Sequence, residues 1–109
     1  MRADAERVPK AVYWHRELPP LRAIPVAEHT VEATSRRLPG RVVHRGDVLW
    51  EQCYQDLMDQ AGLRMQQEVG RLGGCCAHVL SESIDSRHDA ATNEAWLHGR
   101  FTWMLYRDP

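Results

Sequence analysis

The apolar positions of the chain follow two different periods. From residue 47 onward, Trp50, Tyr54, Leu57, Met58, Ala61, Met65, Val69 and Leu72 recur at intervals of three and four, the spacing of one face of an α-helix. Asp47 is a candidate N-cap and Gly73-Gly74 supplies a left-handed stop, so the spacing predicts a helix over residues 47–72, about 39 Å long if continuous. Gly62 and Gly70 each cost roughly 1 kcal/mol against alanine, which favours a bend near Gly62. The opposite face, with Glu51, Gln55, Asp59, Gln66 and Gln67, is polar and reads as solvated.

The rest of the pattern is strand-like. Residues 28–37 (EHTVEATSRR) are β-branched and partly alternating, and Pro39-Gly40 marks a turn after them. Residues 41–45 (RVVHR) are too short to assign. After the helix, residues 75–84 (CCAHVLSESI) and 95–107 (AWLHGRFTWMLYR) read as two strands of an antiparallel hairpin, joined by a polar loop over residues 85–94. If the loop folds back symmetrically, even-numbered residues face even-numbered ones. One face then sets Cys75, Ala77, Val79 and Ser81 against Leu97, Phe101, Trp103 and Leu105, small against large, suited to packing beneath the helix. The other face sets Cys76, His78, Leu80, Glu82 and Ile84 against Trp96, His98, Arg100, Thr102, Met104 and Tyr106. That face is aromatic yet polar, the composition of a contact surface with a partner.

Four of the six prolines, Pro9, Pro19, Pro20 and Pro25, lie within residues 1–27, which therefore read as an extended arm. Tyr13 and Trp14 are its large aromatics, placed either to anchor the arm or to line a ligand site.

Composition narrows the function classes. At 109 residues one domain is expected, and 43% hydrophobic residues argue against disorder. The formal net charge of -1 excludes a general electrostatic nucleic-acid binder, and no apolar run approaches the roughly 20 residues that cross a bilayer. Residues 1–10 hold no apolar stretch of the kind a signal peptide needs. Three cysteines, two of them adjacent, do not fit a secreted disulfide scaffold and point to a reducing, cytoplasmic setting.

The order strand, long helix, Leu72-Gly73, strand, loop, strand resembles the YbjQ-like family of small bacterial proteins, often labelled heavy-metal-binding. The resemblance covers residues 28–107. It is carried by Val31-Glu32 with Pro39-Gly40, by the helix end EVGRLG (residues 68–73), by Ala77-His78-Val79 and by Gly99. It implies an α+β fold in which a curved antiparallel sheet packs on one long helix, a β-α-β-β core over residues 28–109, and assembly into a homo-oligomeric ring. Family members carry a small, apolar run where this chain has Cys75-Cys76-Ala77-His78. No catalytic residue carries over.

Among candidate sites, Cys75-Cys76-x-His78 is the most suggestive, since thiolate and imidazole bind zinc and softer transition metals, and Cys76 and His78 share a strand face. A closed zinc site needs four ligands, and this segment supplies too few, so packing or interface use is the leading reading; His98 joins only if the hairpin register shifts. Symmetric pairing instead sets His98 opposite Glu82, a polar cluster with Arg100 that a hydrolase would use for proton transfer. Arg36, Arg37, Arg41 and Arg45 form the one basic cluster. No nucleophile elbow, phosphate loop or metalloprotease helix is present. The expectation is a non-enzymatic, homo-oligomeric binding or structural module. Its contacts are expected at Trp96, Arg100, Met104 and Tyr106, with neither nucleic acid nor membrane as partner. A metal- or thiol-responsive module built on Cys75, Cys76 and His78 is the alternative, and a hydrolase-type enzyme using Glu82 and His98 comes third.

Overall fold

The computed structural model describes residues 10–39 and 47–109; Arg41, Arg45, the 41–45 segment and the side chain of Asp47 lie outside the described residues. The architecture is α+β. Among the described residues, strands β1 (Ala11–Trp14), β2 (Ile24–Thr34) and β3 (Leu38–Pro39) precede one helix, α1 (Asp47–Arg71), and the long strands β4 (Cys76–Asp89) and β5 (Glu94–Arg107) follow it. Across the sheet the order is β1-β4-β5-β2, with β3 pairing the first residues of β5. No described helix is long and apolar enough to cross a membrane.

α1 forms where the three-four spacing places it and runs as one element through Gly62. Its buried stripe is Cys53, Leu57, Ala61, Met65 and Val69, one residue per turn. Cys53, which the three-four series of apolar positions omits, is fully buried, with its sulfur 3.7 Å from the carbonyl of Arg36. The helix ends in a Schellman motif: Gly73 has φ 75°, its N–H donates to the Gly70 carbonyl at 3.3 Å, and the Gly74 N–H donates to the Val69 carbonyl at 2.9 Å. Against this stripe pack Ala77 and Val79 of β4, Ala33 of β2 and Phe101, Trp103 and Leu105 of β5. Trp14 of β1 closes one flank by an edge-to-face contact with Phe101 at 6.0 Å.

Three expectations about the strands require correction. The sheet is mixed rather than antiparallel: within the arm expected over residues 1–27, Ala11–Trp14 pairs in parallel with Cys76–Val79, and β2 already begins at Ile24. The element order is accordingly longer than β-α-β-β. The polar stretch 85–94 is strand as far as Asp89 and again from Glu94, leaving only residues 90–93 as the turn. Its side chains from Asp85 to His88 are exposed on both faces, because the hairpin extends past the cover of α1. With both faces wet, burial imposes no alternation for the sequence to record. Finally, a β-bulge at Leu80 shifts the β4–β5 register: Val79 pairs with Trp103, but Ser81 pairs with Thr102 and Glu82 with Phe101.

Candidate functional site

The bulge decides which side chains meet. Before it, Cys76 faces Tyr106 and His78 faces Met104, on the side of the sheet away from α1, as the alternation requires. Beyond it the parity of β4 inverts. Glu82 and Ile84 turn toward the helix side opposite Phe101 and Gly99, while Ser81, Ser83 and Asp85 take the open side. The expected pairing of Glu82 with His98 is therefore incorrect. The two residues lie on opposite faces, and no proton-transfer pair forms between them.

On the open face β5 presents Trp96, His98, Arg100, Thr102, Met104 and Tyr106 in a row, so the four residues expected as a contact surface do share one face. His98 sits between two carboxylates, with Nε2 3.0 Å from Glu32 and Nδ1 3.4 Å from Asp85, and its side chain is only 14% exposed. Arg37 lies over the Trp96 ring at 4.1 Å and reaches Glu94 at 3.4 Å and Asp89 at 3.8 Å. Arg100, opposite Glu32 and Ser83, stays exposed, and Trp96, Met104 and Tyr106 are half-buried.

At the other end of this face the sulfur atoms of Cys75 and Cys76 lie 3.5 Å apart. Cys75 is half-buried and Cys76 buried. Burial, then the neighbouring Cys75, pushes the Cys76 thiol up to about 12. His78 donates its Nε2–H to the carbonyl of His15 at 2.7 Å, so that nitrogen is occupied. His98 is not brought to this group: eight residues of β5 separate it from the position opposite Cys76, about 27 Å along the strand. Among the described residues no group of three or more His, Cys, Asp or Glu side chains is arranged to hold a metal ion.

A feature the sequence did not reveal lies on the helix side of the sheet. Trp50, Tyr54, Ile84 and Leu97, with Glu51 and Gln55 at the rim, line a cleft of about 670 Å³ between the first half of α1 and the hairpin. Ile84 reaches it because of the bulge. Nearby, Glu82 places Oε1 3.5 Å from the His15 ring and buries Oε2 without a hydrogen-bond partner among the described residues. Tyr54 is shifted upward by burial and, secondarily, by the charge of Glu82. The sign in the sequence was the unbroken Val79-Leu80 pair followed by Glu82 and Ile84, a place where alternation slips by one. Compared with family models, curated proteins and solved structures, the chain matches none.

Proposed function

We propose that the protein is a self-assembling binding module whose contact surface is the sheet face opposite α1. The observation that supports this reading is the missing second layer. One helix covers one face, while the other carries Trp96, Met104 and Tyr106 with no element packed across them among the element contacts described. Aromatic and methionine side chains gathered on a sheet face that the helix leaves uncovered mark a contact surface, and a second copy of the same chain supplies the layer to cover it. The charges on this face suit such a copy, since Glu32 and Asp85 alternate with Arg100 and the Arg37 fork rather than forming a field of one sign. The resemblance to the YbjQ-like family points the same way, toward a ring of like subunits. The cleft beside Tyr54 lies on the opposite side of the sheet and stays open for a small apolar ligand in such an assembly. Three unpaired thiols suit a reducing cytoplasm.

The test is chromatographic. The double substitution Met104→Asp with Tyr106→Ser puts a charge and a small polar group into the contact without touching the α1 stripe. It is expected to elute later than the parent chain while retaining its circular dichroism spectrum. Co-elution of the folded variant with the parent sinks the assignment of this face.

A further inference from the structure

We propose that the Cys75-Cys76 pair is a chelating site for monosubstituted trivalent arsenicals, compounds of the form R–As(OH)₂ that take two sulfur ligands. Three observations converge on it. The first is separation. Two sulfurs on one tetrahedral ion with bonds of about 2.3 Å sit about 3.8 Å apart, and the narrower angle at pyramidal arsenic brings them closer still. The two Sγ atoms already stand at 3.5 Å, so closing the chelate requires little side-chain movement.

The second is rigidity. The Cys75 N–H donates to the Tyr106 carbonyl at 2.8 Å, and the Schellman turn fixes the preceding glycines. Gly74 is wedged so closely that a Cβ there collides with Leu105 Cδ1 and falls 2.8 Å from the Tyr106 carbonyl oxygen. The dithiol is thus held on the end of a packed sheet rather than on a mobile loop, which lowers the ordering cost of binding. Cys75, half-exposed, is the point of entry, and Cys76 lies behind it.

The third is ligand number. His78 Nε2 is committed to the His15 carbonyl, and no described third or fourth ligand completes a tetrahedral zinc shell. A centre satisfied by two sulfurs fits what the site offers. The reaction is a condensation: R–As(OH)₂ with two thiols gives R–As(S-Cys)₂ and two waters. Two As–O bonds break, two As–S bonds form, each thiol proton leaves in a water molecule, and no electrons are transferred. A disulfide between the same residues is the competing product. Adjacent Cα atoms are about 3.8 Å apart, short of the roughly 4.4–6.8 Å that ordinary disulfides span, so oxidation strains the backbone where chelation does not.

Cys76 lies opposite Tyr106, at the end of the face proposed for self-association, so the test reads binding itself rather than assembly. Reduced full-length protein is mixed with phenylarsine oxide and examined by native mass spectrometry. One adduct per chain is expected, removed by excess ethanedithiol. Cys53→Ser keeps the adduct. Cys75→Ser, a change at a half-exposed position that leaves the core intact, weakens it at least about 100-fold, because a single thiol forfeits the chelate. Cys76→Ala does the same. Absence of an adduct on the parent chain overturns the proposal, as does undiminished affinity in the folded Cys75→Ser variant.

Discussion

Single residues carry two separable kinds of stability in this molecule. Leu57 is fully buried at the middle of the helix stripe, between Phe101 and Gly99, where a Cβ added at Gly99 falls 3.2 Å from Leu57 Cδ2. Leu57→Ala leaves a cavity its neighbours cannot fill, and a loss of about 2–5 kcal/mol is expected in a urea melt. A near-neutral result contradicts the packing described. Cys76 contributes through its proton. Its folded value, pushed up to about 12, lies above its unfolded one, so the native state keeps a proton that the unfolded chain releases. That contribution is complete below the ordinary thiol range and is lost as pH rises through it toward 12. The urea midpoint of the parent chain is expected to fall from about pH 8.5 upward more steeply than that of Cys76→Ala. Parallel pH profiles for the two proteins contradict the assignment.

Among elements, α1 and the β4–β5 hairpin divide the work unequally along their length. The half of the hairpin beneath the helix holds Ala77, Val79, Phe101, Trp103 and Leu105, while the distal half holds exposed side chains and a turn. The turn is closed by local contacts, the Ala91 N–H donating to Asp89 at 2.9 Å and the His88 ring meeting Asn93 at 2.9 Å. Replacing Ala90 and Ala91 by glycine is expected to lower stability by under about 1 kcal/mol, by the same melt that reads Leu57→Ala. A loss as large as that of Leu57→Ala contradicts this division of the hairpin. The same division sets what the sequence discloses. The helix was legible because Leu57, Ala61, Met65 and Val69 must all meet one sheet, and the strand faces were legible wherever burial enforces alternation, at Ala77 and Val79 and along the whole of β5. Register was lost at Leu80, where the bulge turned Glu82 and Ile84 over and took Glu82 away from His98. It was invisible from Asp85 to His88, where water bathes both faces. β1 escaped notice because four residues, Ala11–Trp14, give too short a run for periodicity, and parallel pairing with β4 leaves no turn signal beside it.

At the scale of the whole molecule, the described residues form one layer of helix on a long sheet, an extended arrangement. Its radius of gyration is 16.4 Å, against roughly 13 Å for a compact domain of this length. The hairpin, 14 residues in each strand and about 45 Å long, accounts for that elongation and carries the row from Trp96 to Tyr106 along its open side. The central claim is that this row is covered by another copy of the chain. The mass of the unmodified protein by multi-angle light scattering at micromolar concentration addresses it most directly. A whole-number multiple of 12.6 kDa is expected, falling toward the single-chain mass in Met104→Asp with Tyr106→Ser. A parent chain that scatters as a 12.6 kDa particle throughout that concentration range contradicts it.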